Sequence, residues 1–268
     1  MFDYNKRTYI MGILNVTPDS FSDGGKFNSI DEALRHALEM VEEGADIIDL
    51  GGESTRPGHI YVDVDYVDVD EELKRVIPVV KKLKEELDTP ISVDTYKAKV
   101  ADESLKLGAE MINDIWGLRK DKDMANVIAK HNAYVCIMHN QDGTEYDKDI
   151  IESIKEFLLE SVDIAIEAGI DKNKIVLDPG IGFGKTYEQN LEVLKRLGEL
   201  KTLGYPILLG TSRKSVIGNT LDLPPQERVE GTIATTVLGI RDGVDIVRVH
   251  DVEKNLRAAK MADAIYRG

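Results

Sequence analysis

Eight short apolar runs punctuate the chain: Tyr9–Leu14, Asp46–Leu50, Ile91–Val93, Met111–Asn113, Ala133–Met138, Lys174–Leu177, Pro206–Leu209 and Asp245–Val249. They do not alternate apolar with polar residues, as strands with one wetted face would. Continuous runs bounded by Gly, Pro or polar residues predict strands buried on both faces. Between them the apolar positions take helical spacing. Ala33, Leu34, Ala37, Leu38 and Val41 share one face before Gly44, and Leu73, Val76, Ile77, Val80, Leu83 and Leu87 share another. Phe157, Leu158, Val162, Ile164 and Ala165 repeat the pattern before Gly169, as do the stretch Val229 to Ile240 and the closing Leu256, Ala259, Met261 and Ile265. Strand and helix alternating eight times has two homes, a doubly wound sheet or a closed barrel. Eight units in about 250 residues predict an α/β fold of the (β/α)8 TIM barrel type, read as one domain over residues 1–268. No fixed-period sequence repeat accompanies this architectural one.

Composition narrows the function. The chain has 268 residues, is 42% hydrophobic and carries 34 Lys+Arg against 49 Asp+Glu, a net charge of −15. Such an excess repels phosphate backbones and anionic lipid, so nucleic-acid and membrane-surface binding are not expected. A local basic pocket for one small anion remains compatible with it. No apolar run approaches the roughly 20 residues of a bilayer span, and Met1 to Tyr9 has no signal-peptide core. A cytoplasmic location is expected. Cys136 is the sole cysteine, read as a small buried apolar residue, and no His or Cys spacing suggests zinc.

In a barrel, active sites gather where strands end and lead into helices. The first run leads into Asn15-Val16-Thr17-Pro18-Asp19-Ser20-Phe21-Ser22-Asp23-Gly24-Gly25, a polar loop that is either a surface turn or a functional lid. The second leads into Gly51-Gly52-Glu53-Ser54-Thr55-Arg56-Pro57-Gly58, where glycines allow close backbone approach and Thr55 and Arg56 offer donors to an anion. Asp94, Asn113 and Asp178 end the third, fourth and sixth runs. One Asp so placed is explained as a helix cap, but three polar ends converging on one axis suggest a heterocycle edge. The seventh run ends in Ser212-Arg213-Lys214-Ser215 and the eighth in Arg248-Val249-His250-Asp251. Arg248 and His250, two apart, share a face. With Arg56 they offer a cationic ring; the alternative is an Arg paired with Asp251. Carboxylates and an amide suit a flat, nitrogen-rich ring, while the cations suit a phosphate.

Two other patterns carry no site. Gly180-Ile181-Gly182-Phe183-Gly184-Lys185-Thr186 is glycine-rich, but Pro179 stands where a phosphate-binding loop needs its first Gly. The alternating acidic stretch Tyr61 to Asp70 lacks the central Gly of a calcium loop, and its charges are read as facing water.

Taken in order, Ile13 to Gly25, Gly51 to Gly58, Asp178 to Lys185, Ser212 to Ser215 and Arg248 to Val252 resemble the signature segments of the dihydropteroate synthases. The resemblance covers the chain from about residue 8 to 266. It implies a transferase of folate biosynthesis that joins 4-aminobenzoate to (7,8-dihydropterin-6-yl)methyl diphosphate, giving 7,8-dihydropteroate and diphosphate. It implies that Asp94, Asn113, Met138, Asp178 and Lys214 line a pterin pocket with Arg248 against the ring face. Asn15, Thr55, Arg56, Arg248 and His250 would hold the diphosphate, Asn15 also ligating Mg2+. Phe21, Pro57, Phe183, Ser212 and Lys214 would frame the aminobenzoate, and Asp94, Lys214, Arg248 and His250 would carry the chemistry. A homodimer through the late helices is implied as well. The segment from His59 to Asp70 is longer and more acidic than the family's usual connection. After Met138-His139 the sequence departs from the commoner form, and His139 is assigned no role. The rival readings are a methyltetrahydrofolate–corrinoid methyltransferase barrel, which has no diphosphate to bind, and a pterin-sensing barrel without turnover.

Overall fold

The computed structural model of the chain describes residues 2–4, 6–16, 26–53 and 67–268. Among these residues the strands are β1 (Tyr9–Asn15), β2 (Ile47–Gly51), β3 (Ile91–Asp94), β4 (Met111–Asp114), β5 (Tyr134–Met138), β6 (Ile175–Asp178), β7 (Leu208–Leu209) and β8 (Ile246–Val249). All pairings are parallel, in the order β6-β5-β4-β3-β2-β1-β8-β7. A single parallel bridge, Leu177 to Ile207, joins the two ends and closes the barrel. This seam is thin for a chemical reason. Pro206 has no N–H to give to a ladder, and the Ile207 N–H donates to the Asp245 carboxylate at 2.9 Å. The seventh strand is therefore two residues long where four were expected.

The helices are α1 (Lys26–Glu42), α2 (Val69–Glu86), α3 (Ala98–Lys106), α4 (Met124–Lys130), α5 (Ile150–Glu167), α6 (Tyr187–Lys195), α7 (Ser215–Leu221), α8 (Val229–Arg241) and α9 (Val252–Tyr266). Local chemistry sets several of their starts. Asp68 accepts from the Glu71 N–H ahead of α2, Asp149 from the Ile151 and Glu152 N–H groups ahead of α5, and Thr186 and Gln189 form a reciprocal capping box on α6. Of the alternating acidic stretch, residues 61–66 lie outside the described residues, and Asp68 serves as this cap.

Acids at the strand feet tie neighbouring units together. Asp46 accepts from the Ile10 N–H, Glu110 from the Ile91 N–H and Asp245 from the Ile207 N–H, at 2.8, 2.9 and 2.9 Å. Each satisfies a backbone donor at the barrel's rim that has no ladder partner there.

The strands sort their side chains by the period of two. Ile10, Leu14, Ile48, Leu50, Ile91, Val93, Ile112, Val135, Ile137, Ile175, Leu177, Leu209, Val247 and Val249 face outward into the core shared with the helices. Tyr9, Met11, Ile47, Met111, Cys136, Val176, Leu208 and Ile246 face inward and fill the barrel. Cys136 is a free, fully buried thiol within this filling. Phe2, Tyr4 and Tyr134 pack beneath it, edge to face with Tyr9 or one another, and plug the N-terminal end. Among the described residues this packing fills the N-terminal end of the barrel and leaves the polar strand C-termini facing the other way.

Candidate active site

The inward layer contributed by the four even strands is Ile47, Met111, Val176 and Ile246. Two residues further along each strand, on the same face, stand Asp49, Asn113, Asp178 and Arg248. A barrel core is built of such four-residue layers from alternate strands. Here the apolar layer is followed by one that is wholly polar. The odd strands add Asp94 and Met138 two residues beyond Ser92 and Cys136, and Asn15 at the end of β1 opposite Gly51. The register sets Asp94 beside Asn113 and Met138 beside Asp178.

Arg248 spans the layer. Its Nε donates to Asp49 Oδ2 at 2.5 Å and its Nη2 to Asp94 Oδ2 at 2.8 Å. Asn113 Nδ2 donates to the same Asp49 oxygen at 3.2 Å. That bond fixes the amide, and Asn113 Oδ1 is left as a buried acceptor without a hydrogen-bond partner among the described residues. A buried acceptor in that state suits a ligand N–H. Two buried carboxylates share one guanidinium. Burial raises the Asp94 carboxyl above its ordinary range against the pull of Arg248, with the Asp49 charge pushing the same way. For Arg248, burial works downward, but Asp49 and Asp94 outweigh it and hold the guanidinium above its ordinary value. The layer is thus rich in negative charge around a locked cation.

On the opposite side, Asp178 Oδ1 accepts from the Gly180 N–H at 2.7 Å. Burial lifts this carboxyl, opposed by Lys214. Lys214 is pushed down to about 8 by burial, with Asp178 working against the shift. Its ammonium donates to the Ile181 carbonyl at 2.5 Å and lies 4.8 Å from the centre of the Phe183 ring. Met138, Phe183 and Ile115 form a small buried cluster flanked by Tyr96 and Trp116, an apolar wall between these polar groups.

Ser212 and His250 form a third group. The His250 N–H donates to Ser212 Oγ at 3.1 Å, and Ser212 Oγ lies 2.9 Å from His250 Nδ1. The hydroxyl oxygen accepts from the backbone and keeps one proton and one further lone pair, so it can either donate to Nδ1 or accept from it. Where the hydroxyl donates to Nδ1, the ring proton of neutral His250 lies on Nε2, an N–H suited to an anion.

The structure therefore brings Asp94, Asn113, Met138, Asp178, Phe183, Ser212, Lys214, Arg248 and His250 to one mouth, with Asn15 at its edge. Phe21, Thr55, Arg56 and Pro57 lie outside the described residues. Arg213 is turned away from Lys214, its guanidinium gripping Asp251 through contacts of 3.0 to 3.2 Å. The Arg–Asp251 pair is thus real, but Arg213 makes it and Arg248 does not. Asp114, next to Asn113, has the ordinary turn role, accepting from the Trp116 and Leu118 N–H groups at 2.8 and 2.9 Å.

Three groups escaped the sequence reading. Asp49 lies inside its apolar run, which hides it in the sequence, yet its place two residues after Ile47 matches those of Asn113, Asp178 and Arg248 in their strands. Lys185 and His139 are both buried and in contact, the ammonium 2.9 Å from His139 Nδ1. Burial pushes Lys185 down to about 7, and burial together with Lys185 pushes His139 down to about 2. Buried Lys97 pairs with Glu53 at the end of β2 and with Glu72 in the first turns of α2, a cross-tie that only the folded chain assembles.

Comparison with known proteins agrees with this geometry. The sequence model of the pterin binding enzyme family matches residues 11–250. The chain is 61% identical to the dihydropteroate synthase of Clostridium beijerinckii over 267 residues, 99% of this chain and 97% of that one. It is 58% identical to that of Bacillus subtilis, covering 98% of this chain and 90% of that one. Its fold superimposes on the crystal structure of a dihydropteroate synthase from Clostridium difficile, solved in the presence of pteroic acid, with a TM-score of 0.97, 73% identity and full coverage of both chains. A pterin-ready polar layer and near-complete relatives at this identity lead to one conclusion: the chain belongs to the dihydropteroate synthase family of pterin-binding enzymes.

Proposed function

We propose that the barrel mouth binds (7,8-dihydropterin-6-yl)methyl diphosphate and 4-aminobenzoate and joins them, with the roles of its residues as follows. Asp94, Asn113 and Asp178 take the N–H groups of the pterin edge, Lys214 donates to a ring acceptor, and Met138 covers one side of the ring. Arg248, held flat by Asp49 and Asp94, lies against the ring face. His250 through its Nε2 proton, together with Arg248 and the loop residues Thr55 and Arg56, holds the diphosphate. Phe183, Ser212 and Lys214 frame the aminobenzoate, with Phe21 and Pro57 closing around it. The single observation that carries this reading is the polar layer of Asp49, Asn113, Asp178 and Arg248 laid directly on the apolar filling of the barrel.

The chemistry follows from the charge distribution. The C–O bond to diphosphate breaks, its electron pair leaving with the phosphate oxygen, and the positive charge left on the methylene spreads into the pterin. Asp94 and Asp49 make that cation favourable, while Arg248 and His250 favour the negative charge accumulating on the leaving group. The aminobenzoate nitrogen then forms the C–N bond and gives up one proton. Dry walls from Met138 and Phe183 keep water from competing for the cation.

The donor set fits Mg2+ carried by the substrate. Among the described residues no group of three or more His, Cys, Asp or Glu could cage a metal. Mg2+ is usually held by one or two protein oxygens, phosphate oxygens and water, and the Asn15 side-chain oxygen sits beside Gly51 at the edge of the mouth. When bound, the ion would neutralise diphosphate charge. The expected result is equimolar formation of diphosphate and 7,8-dihydropteroate, dependent on both substrates, lost with EDTA and restored by Mg2+. Pterin binding without diphosphate release would mark a sensing barrel. Methyl transfer from methyltetrahydrofolate to a corrinoid protein would mark the other rival.

Asp49→Asn keeps an oxygen toward Arg248 but removes the charge that orients it. A loss of one charge-assisted hydrogen bond, about 1.5–3 kcal/mol, predicts kcat/KM lower by roughly 10- to 100-fold in a variant with unchanged circular dichroism. Wild-type kinetics would remove Asp49 from the site.

The chain's setting is proposed on similar grounds. Leu221 on α7, Leu238 on α8, and Met261, Ile265 and Tyr266 on α9 are large and exposed, which supports a homodimer through the late helices. Sedimentation at micromolar concentration should give twice the mass of the chain, and a monomer would reject this pairing. No helix among the described residues is long and apolar enough to cross a membrane, which suits a cytoplasmic enzyme of folate synthesis.

A further inference from the structure

The turn after β6 carries two groups on which the aminobenzoate side depends, Phe183 and the Ile181 carbonyl that holds Lys214, yet its own sequence gives it little reason to hold still. Gly180, Gly182 and Gly184 all adopt left-handed φ angles of 69°, 87° and 56°. Glycine reaches this region freely and loses the most conformational freedom when confined to it. Phe183 and the Ile181 carbonyl lie between these glycines, the carbonyl accepting from Lys214 and the ring lying under the same ammonium. A displaced turn would therefore displace Phe183 and release Lys214 together.

Lys185 braces this turn from below. Its buried ammonium contacts the Gly180 carbonyl, the Phe183 carbonyl and His139 Nδ1, each at 2.9 Å. An ammonium has three N–H donors and no acceptor, so the three partners account for all of its hydrogen-bonding capacity. None of them is a carboxylate. A buried cation satisfied only by neutral acceptors contributes little to stability beside an apolar residue of the same volume, but it joins both ends of the turn to the end of β5. Packing supports the same contact. A Cβ on Gly180 would lie 1.9 Å from the His139 carbonyl oxygen, so the turn is seated directly on the β5 exit. The Tyr146 hydroxyl ties Gly184 to the same loop at 2.9 Å.

We propose that Lys185, with His139 as its anchor, is a positioning residue for the aromatic co-substrate: its three hydrogen bonds hold the 180–184 turn so that Phe183 and Lys214 meet the aminobenzoate. This rests on the functional reading above and assigns a task to two residues outside its roster. Of the pterin groups, Asp94, Asn113 and Arg248 lie on strands that do not touch the turn, whereas Asp178 and Lys214 each meet it through one hydrogen bond. The aminobenzoate, which also needs Phe183 from the turn itself, should therefore lose more than the pterin.

The test compares full-length Lys185→Met, His139→Leu and His139→Asn with the parent chain. Losing the brace should raise KM for 4-aminobenzoate about tenfold or more, the effect of one or more lost hydrogen bonds, and by several-fold more than it raises the calorimetric Kd for the pterin diphosphate. Equal losses for the two substrates would overturn the selective role. His139→Leu, which removes one of the three acceptors, should move KM in the same direction by less. His139→Asn, whose Oδ1 takes the place of Nδ1, should restore it. A folded Lys185→Met with unchanged aminobenzoate KM, or one with only a lower Tm, overturns the positioning role. If Lys185→Met does not fold, the two His139 variants decide: equal KM values for Leu and Asn reject the proposal. An inactive parent chain would overturn the functional reading itself, whereas an active parent with unmoved variants overturns only this inference.

Discussion

Arg248→Met should reduce turnover by at least about 10³-fold, the upper range for deleting one preorganised donor at a centre of developing charge. The effect is larger than that of an ordinary diphosphate contact because the guanidinium has two tasks. It neutralises the leaving group, and it holds Asp49 and Asp94 apart at contacts of 2.5 and 2.8 Å. Without it two buried carboxylates face each other with no cation between them. Breaking a buried pair in this way costs about 3–5 kcal/mol, and the variant should show it as a lower Tm.

The loss should depend on pH in a definite sense. With the cation gone, burial lifts the Asp94 carboxyl further above its unfolded value, which lies near 4. The folded state then binds more protons than the unfolded one. Stability is fully present below that unfolded value and is lost as pH rises toward the elevated folded one. Thermal melts should therefore show the variant closest to the parent near pH 5 and furthest from it near pH 8. Arg248→Lys restores a charge but not the planar fork that reaches both acids at once, so it should recover stability more than turnover. A variant as fast as the parent, or a Tm deficit that does not grow with pH, would contradict the place given to Arg248.

Asp178→Asn should weaken pterin binding by about 10- to 100-fold, corresponding to roughly 1.5–3 kcal/mol for a hydrogen bond to a charged group. Geometry makes the amide a poor replacement. One carboxylate oxygen of Asp178 is committed to the Gly180 N–H at 2.7 Å. An asparagine would have to keep its single oxygen there and turn its NH2 toward the ring, placing donor against donor. The alternative orientation satisfies the ring and breaks the turn. Calorimetry with the pterin diphosphate measures the loss, and kcat at saturating pterin should fall much less. Unchanged affinity would take Asp178 out of the pocket.

The legibility of this site from sequence varied with the kind of interaction. Strand ends were readable to within a residue or two, because a strand buried on both faces needs a continuous apolar run and has few other ways to be written. β7 is the exception, shortened where Pro206 lacks a donor and Asp245 takes the donor of Ile207. The long helices were readable from their apolar stripes, though α1 and α5 begin about two turns before the first periodic residue. The short α3, α4, α6 and α7, of seven to nine residues, were not delineated. Two turns are too few for a period of 3.6 to declare itself.

Asp94, Asn113, Asp178 and Arg248 could be singled out because each interrupts or ends an apolar run, and an interruption at a strand end has a meaning in a barrel. Asp49 interrupts its run too, but a single acid followed by Leu50 looks like noise until its three layer mates are seen. Lys185 and His139 carry no sequence mark of partnership. They are 46 residues apart and become neighbours only because β5 and β6 lie side by side. The same holds for the division of labour at Arg213 and Arg248. Both arginines lie near Asp251 in sequence or in space, and only the strand's inward or outward facing decides which one reaches the pocket.

The amino-acid order alone thus determined the barrel, its register of burial and the family, since these depend on periodicity and on contiguous motifs that need no partner to be recognised. Which acids share the central guanidinium, which lysine lines the mouth and which braces it from beneath, and which donors remain for a ligand were decided only on folding. Those are properties of distance and desolvation between residues far apart in the chain, and neither quantity exists before the barrel closes.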